Sequence, residues 1–220
     1  MKIPENNNQI GIGFFGKVMA SISHELKNRI AIVKEQAGLL KDYSAMAEQG
    51  RKINTDRLGR LGQGLTEQVL KADTILKNMN QFAHSIDNII CPTDLNDLLR
   101  LSLSLAKHLA DLHRISLKLN AADPPVKVTT SPFFLMNLIW LCLEILIRAA
   151  DNPGTIALEL VKNDQGGGLI RLQSDAAELK LGEQWMPENL KFLSDALEAE
   201  VEWKRADNVL LIRLPADITN

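Results

Sequence analysis

Three side chains that can take part in phosphate chemistry lie within the stretch SISHELKNR, residues 21–29. His24 is followed directly by Glu25, and Asn28 comes one helical turn after the histidine. Histidine side chains have an ordinary pKa of about 6.5, so an imidazole is typically the uncharged nucleophile at neutral pH. When a neighbouring carboxylate accepts the proton of one ring nitrogen, the other nitrogen can attack phosphorus with its lone pair. An incidental histidine on a solvated helix is the competing interpretation.

The residues around His24 follow the pattern of a long helix that runs from about residue 14 to residue 47. At about 100° per residue, His24 points away from the apolar stripe of this helix, and Asn28 lies on the same side as His24. We therefore expect both side chains to be exposed and accessible to a partner. The apolar stripe consists of Val18, Ile22, Leu26, Ile30, Val33, Ala37 and Leu40.

A second apolar pattern, from about residue 53 to residue 86, predicts another helix after a break at residues 48–50. Two long helices joined by a short loop form an antiparallel hairpin. In a single hairpin each apolar stripe has only one partner helix, so pairing with a second copy would complete its burial. We expect a homodimer in which two hairpins form a four-helix bundle.

After Pro92 the pattern changes to a mixture of helices and strands. Asp94 can cap a helix that ends near Leu112, an apolar helix follows at 133–151, and a last helix at about 187–200. Strands packed against helices indicate a two-layer α/β sandwich, so the chain is predicted to be an α+β protein. The predicted strands are 115–120, 126–130, 155–163, 169–174, 201–205 and 209–214.

The composition argues against several classes of function. The net charge of −2 gives no basic surface for nucleic acid, and the polar N-terminus does not resemble a signal peptide. The apolar stretch 133–147 is shorter than the roughly 20 residues of a membrane span, and Asn137 and Glu144 interrupt it. Cys91 and Cys142 have no paired spacing and are expected to be reduced. We expect a soluble, cytoplasmic protein that binds neither nucleic acid nor membrane.

The stretch SISHELKN, on the first helix of a long hairpin that precedes an α/β sandwich, resembles the histidine-containing box of two-component sensor histidine kinases. The resemblance covers most of the chain in element order. It implies a flexible N-terminus over residues 1–13, a dimerisation and histidine-phosphotransfer hairpin over residues 14–90, and a domain like the kinase ATP-binding domain over residues 91–220.

The resemblance also implies roles for the residues of the box. His24 matches the phosphate-accepting histidine, and Glu25 matches the acidic residue that assists the transfer. Asn28 matches the position that orients the attacking water in members that dephosphorylate a response regulator. Arg29 is a departure, because a proline commonly stands there, and we expect the helix to kink less without it.

The nucleotide site implied by the resemblance is degenerate in this sequence. Glu144 and Arg148 occupy the positions of two asparagines, the second of which would hold magnesium, and arginine has no acceptor atom for a cation. Asp175 matches the aspartate that reads adenine, but Ala177 and Leu179 replace the two glycines that should follow it. The short segment before the last helix leaves little chain for an ATP lid. We therefore expect a kinase-like domain without the lid and without ATP chemistry.

These observations predict a phosphorelay protein that carries a phosphoryl group on His24 and exchanges it with the aspartate of a response-regulator receiver domain. It would need no cofactor of its own, because the receiver supplies magnesium. We expect no metal site, since His84, His108 and His113 lack the spacing of a ligand pair on one helix face. The alternatives are a divergent kinase that uses ATP, a response-regulator phosphatase that uses Asn28, and a non-catalytic scaffold.

Overall fold

The chain forms two compact units, which we call the sandwich unit (residues 1–18 and 82–220) and the hairpin unit (residues 19–81). The first helix, α1 (Asn6–Glu48), contributes residues to both units, and α2 (Thr55–His84) lies mainly in the hairpin unit. The computed structural model describes residues 6–150, 153–176, 179, 181–182 and 184–219.

Within the hairpin unit, α1 and α2 run antiparallel. The side chain of Arg29 on α1 donates to Gln68 on α2, and Gln36, further along α1, approaches Gly64, which comes earlier on α2. The chain reverses at Gly50, whose φ of +74° is a conformation that glycine adopts at little cost. The predicted break between the helices is therefore at the expected place.

The N-terminal end of α1 differs from the expectation. The sequence predicts a flexible segment over residues 1–13 and a helix from about residue 14; residues 1–5 lie outside the described chain, and α1 begins at Asn6. Phe14 is 4% exposed, and its ring lies 5.5 Å from the ring of Phe82 and 5.5 Å from the ring of Phe133. This aromatic packing holds the first turns of α1 against the rest of the sandwich unit, to which they belong. Such a long-range contact leaves no periodic signal in the local sequence.

The strands of the sandwich unit form two sheets. The larger sheet has five strands in the order β2-β4-β5-β7-β6, in which β2 and β4 are parallel and the other neighbours are antiparallel. β1 and β3 pair antiparallel in a separate two-stranded sheet. The strands are β1 (Cys91–Asp94), β2 (Ile115–Asn120), β3 (Lys127–Thr130), β4 (Gly154–Lys162), β5 (Gly168–Ser174), β6 (Glu200–Lys204) and β7 (Val209–Leu214).

Three helices accompany the larger sheet: α3 (Leu95–Leu112), α4 (Pro132–Ala149) and α5 (Glu188–Ala196). α4 packs against both α3 and α5. Alternate residues of β4, such as Ile156 and Leu158, are fully buried, which gives the sheet one apolar face. α4 is long and apolar enough to cross a membrane, but 67% of it is buried inside the fold, as expected for a core helix.

Two elements of the sandwich unit differ from the prediction. β1 was not predicted, because the sequence CPTD contains Pro92 and shows no clear alternation. The last helix ends at Ala196 rather than near residue 200. It ends early because Glu198 has a left-handed φ of +50° and directs the chain into β6.

Candidate functional site

His24 lies on an exposed side of α1, in the hairpin unit. Asn28 is also exposed, and its Nδ2 atom lies 3.4 Å from Nδ1 of His24. This is the arrangement that the helical spacing predicts for residues four positions apart. A partner can therefore approach the imidazole from solvent.

The contact with Asn28 bears on how the imidazole of His24 presents its two nitrogens. When the amide turns its oxygen to the ring, Nδ1–H donates to that oxygen and Nε2 holds the lone pair. When the amide turns its NH₂ group to the ring, Nδ1 accepts and the proton resides on Nε2. Only the first arrangement leaves Nε2 nucleophilic, so the Asn28 amide can select the reactive tautomer.

α1 continues as one helix through Arg29, whose side chain holds the carboxylate of Glu25. Nη2 of Arg29 donates to Oε1 of Glu25 at 3.4 Å, and Nη1 donates to Oε1 of Gln68 at 3.4 Å. The exposed fractions of the Glu25 and Arg29 side chains are 22% and 27%. Arg29 thus links the carboxylate beside His24 to α2. Sequence reasoning missed this role, although the spacing of four residues was an available signal.

On α4, Glu144 and Arg148 form a close ion pair with a third partner. Nη2 of Arg148 donates to Oε1 of Glu144 at 2.8 Å, and Nζ of Lys17 donates to Oε2 at 3.3 Å. Burial disfavours the charged form of Glu144, but these hydrogen bonds and charges outweigh it, so the pKa of the carboxyl lies below its ordinary 4.5. Lys17 was missed, since no local pattern connects residues 127 positions apart.

The residues predicted to replace the adenine loop are only partly within the described chain. Oδ1 of Asp175 accepts a hydrogen bond from the backbone N–H of Thr155 at 2.7 Å, which ties the end of β5 to β4. Leu179 is buried, with 3% of its surface exposed. Ala177 lies outside the described residues. Asp175 therefore has a structural partner, and Leu179 contributes to the core.

Metal and thiol chemistry find little support in the part of the chain that the structure describes. There, no group of three or more His, Cys, Asp or Glu side chains could hold a metal ion. Nδ1 of His84 lies 2.8 Å from a carboxylate oxygen of Asp87, which gives this histidine a local partner. Burial raises the pKa of the Cys142 thiol far above its ordinary value, so the thiol stays protonated and unreactive.

Comparisons with known proteins identify the fold. No protein-family profile and no curated protein matches the sequence. The catalytic domain of the histidine kinase ThkA aligns over 58% of this chain and 97% of its own length, with 12% identity and a TM-score of 0.50. The histidine kinase AdeS of Acinetobacter baumannii aligns over 90% of this chain and 98% of its own length, with 11% identity and a TM-score of 0.50.

A solved bacterial phosphotransferase also aligns, over 97% of this chain and 98% of its own length, with 11% identity and a TM-score of 0.49. The order of helices and strands in the sandwich unit follows the order that the sequence resemblance implies. Identities this low report on architecture and not on activity. The alignments with ThkA and AdeS show that the chain resembles histidine kinase catalytic domains in fold.

Proposed function

We propose that this protein carries a phosphoryl group on His24 and exchanges it with the aspartate of a response-regulator receiver domain. It would act in two-component signalling as a histidine phosphotransfer protein. The observation that carries the proposal is the exposed imidazole of His24, with the Asn28 amide 3.4 Å from Nδ1. A kinase-type fold that presents such a histidine is suited to phosphoryl transfer with a protein partner.

In the proposed transfer, one bond forms and one bond breaks. Nε2 of His24 attacks the phosphorus of the receiver's aspartyl phosphate with its lone pair and forms a P–N bond. The P–O bond breaks, and its electron pair leaves with the aspartyl carboxylate, which remains on the receiver. Nδ1 keeps its proton, which the Asn28 amide accepts when its oxygen faces the ring. Because phosphoramidates and acyl phosphates are both high-energy compounds, the transfer runs in either direction.

Glu25 supports this step electrostatically. The imidazole ring becomes cationic as the P–N bond forms, and a carboxylate on the adjacent residue stabilises a nearby positive charge. Arg29 holds that carboxylate at 3.4 Å and connects it to Gln68. We therefore assign Arg29 as a positioning residue that acts through Glu25.

The ion pair on α4 supports a phosphate source other than ATP. Magnesium takes oxygen ligands in a near-octahedral arrangement, whereas Arg148 offers only N–H donors. The carboxylate of Glu144 already accepts hydrogen bonds from Arg148 at 2.8 Å and from Lys17 at 3.3 Å. These residues do not fit a magnesium–triphosphate group. No step of the proposed transfer involves ATP, and the magnesium ion belongs to the receiver domain.

The hairpin unit supports a homodimer as the working form. Several large apolar side chains of this unit are exposed in one chain, and pairing of two hairpins into a four-helix bundle would bury them. They include Ile30 at 57%, Val69 at 56% and Leu70 at 61% exposed. Cys91 and Cys142 form no disulfide, which fits the cytoplasmic location that we propose.

A response-regulator phosphatase is the second candidate, because Asn28 is exposed beside His24. An amide at this position can hydrogen-bond a water molecule that attacks the receiver's aspartyl phosphate. In that reaction the phosphoryl group goes to water and His24 never becomes labelled. Label on His24 therefore distinguishes the two activities, and Asn28→Ala should slow hydrolysis at least tenfold if water is the acceptor.

The proposal is tested by mixing the protein with receiver domains that carry ³²P on their aspartate. We expect label to move to the protein, and we expect His24→Ala to abolish the transfer. His84→Ala is the matched control, because His84 is an exposed histidine near the end of α2. Receivers that lose phosphate faster without labelling His24 would support the phosphatase. Receivers that neither transfer nor lose phosphate faster would contradict both candidates.

A further inference from the structure

A cleft of about 220 Å³ lies within the sandwich unit, between the first turns of α1 and the N-terminal half of α4. On α1 its lining includes Ile10, Gly13 and Lys17, and on α4 it includes Asn137 and Trp140. The volume is below that of sites for drug-sized ligands, which begin at about 300 Å³. The lining does not include His24, and it shares Lys17 with the ion pair of Glu144 and Arg148.

Two buried polar atoms on residues that line this cleft lack a hydrogen-bond partner among the residues that the structure describes. They are Nδ2 of Asn137 and Nε1 of Trp140. The exposed fractions of the two residues are 2% and 6%, and both line the cleft one helical turn apart on α4. Buried polar groups in folded proteins are almost always hydrogen-bonded. Two orphaned groups on residues of one cleft are therefore groups that a bound acceptor would satisfy.

The hydrogen-bond donors and apolar side chains that line the cleft determine which class of ligand it can bind. The indole N–H of Trp140 can only donate, and the orphaned Asn137 atom is the NH₂ donor of its amide. Lys17 adds an ammonium group with three donors, only one of which is used by Glu144 at 3.3 Å. Oxygen acceptors, and a carboxylate above all, satisfy three such donors. The rest of the lining includes the apolar side chains of Ile10, Phe14 and Leu141, which suit an apolar body.

We propose that this cleft is a binding site for a small carboxylate with an apolar body. The carboxylate oxygens accept from Trp140 Nε1 and Asn137 Nδ2, with the ammonium of Lys17 at the rim. The apolar body packs between α1 and α4. The site is independent of the phosphotransfer proposed for His24, and it gives the sandwich unit a ligand-binding role.

The indole N–H resonance of Trp140 in a ¹⁵N-correlated NMR spectrum reports directly on the Nε1–H donor of the proposed site. The chain has three tryptophans, Trp140, Trp185 and Trp203, and Trp140→Phe assigns the first of them by loss of one peak. Benzoate is the probe, and benzylamine is its control, because it has the same ring but a cation in place of the acceptor. We expect benzoate to shift the Trp140 indole proton saturably and the other two to stay unchanged. Benzylamine should have no effect.

Two glycine-to-leucine variants on α1, one inside the cleft lining and one outside it, test whether benzoate binds in the cleft. A Cβ at Gly13 meets no atom within 4 Å and Gly13 lines the cleft, so the Cβ of Gly13→Leu fits and the longer side chain narrows the cleft. Gly16 is equally open but does not line the cleft. We expect Gly13→Leu to raise the Kd for benzoate at least tenfold and Gly16→Leu to leave it unchanged. Asn137→Leu, which removes one donor, should raise the Kd about three- to tenfold.

Two results would overturn the proposal. One is a Trp140 indole peak that does not move at millimolar benzoate, which would mean that water alone occupies the cleft. The other is a benzoate-induced shift of the Trp140 indole proton that is as large in the Gly13→Leu protein as in the parent, which would mean that benzoate binds outside the cleft. Unchanged Trp185 and Trp203 peaks in each variant establish that the sandwich unit remains folded.

Discussion

At the scale of single residues, Glu144 is a carboxylate whose charge depends on two partners. It is 15% exposed and accepts hydrogen bonds from both Arg148 and Lys17. Because the pKa of Glu144 is lower in the folded state, the ion pairs stabilise the fold above the ordinary pKa of 4.5. This contribution is lost as the pH falls through the lowered pKa of the folded state.

The double variant Lys17→Ala, Arg148→Ala should therefore be less stable than the parent at pH 7, by about 1–2 kcal/mol. The difference should shrink toward zero only when the pH falls below the lowered folded-state pKa of Glu144, where the carboxyl is protonated in both proteins. Urea unfolding at a series of pH values measures it. A difference that stays constant down to pH 3 would contradict the ion-pair account. Lys77→Ala is a control, because Lys77 pairs with Asp73 on the exposed surface of α2.

The sequence predicted the arrangement of the histidine box, but it did not predict the residues from distant parts of the chain that contact the candidate site residues. The spacing of His24 and Asn28 predicted a shared exposed side, because a helix brings residues four apart together. Gln68 and Lys17 were not predictable as partners, since their contacts connect residues 39 and 127 positions apart. Such contacts arise from tertiary packing, on which local periodicity carries no information.

At the scale of elements, the start of α3 depends on one side chain. Oδ1 of Asp94 accepts hydrogen bonds from the backbone N–H groups of Asn96 at 2.9 Å and Asp97 at 3.4 Å. Asp94→Ala leaves these two donors without a side-chain partner, so the free energy of unfolding should fall by about 1 kcal/mol. Urea unfolding followed by circular dichroism measures the loss. Asp97→Ala is the control and should change stability by less than half as much; equal effects would contradict the cap assignment.

The turn between β4 and β5 requires glycine at residue 167. A Cβ at Gly167 would overlap the backbone of Leu214 and Pro215, so the neighbouring chain would have to move. Gly167→Ala should lower the free energy of unfolding by about 3 kcal/mol or more. Gly62→Ala, at an open position in the middle of α2, should raise it by roughly 0.5–1 kcal/mol. Similar effects of the two substitutions, measured by urea unfolding, would contradict this reading of the turn.

Elements with strong periodic patterns were predictable, and elements defined by long-range pairing were not. β2 and β7 have the predicted bounds. Each end of β4 and β5 lies within one residue of its predicted position. β1 exists because it pairs with β3, and its own sequence contains a proline. The first turns of α1 are helical because Phe14 packs against Phe82 and Phe133.

At the scale of the whole molecule, the exposed apolar side chains of the hairpin unit predict self-association. We expect a mass of about twice 24.4 kDa in analytical ultracentrifugation. Leu70→Glu places a charge at a residue that is 61% exposed in one chain, so it should weaken the dimer at least tenfold. Leu112→Glu is the control, at a leucine of α3 that is 68% exposed and outside the hairpin unit. A monomeric parent protein would contradict the four-helix bundle.

The central claim for the whole molecule is that His24 receives its phosphate from a protein partner and not from ATP. The most direct measurement gives one preparation either ³²P-phosphorylated receiver or γ-³²P-ATP with magnesium, and follows label on His24 over time. We expect rapid labelling from the receiver, no labelling from ATP, and no labelling of the His24→Ala protein. Labelling from ATP that disappears in His24→Ala would contradict it, and so would the absence of label from every receiver of the same organism.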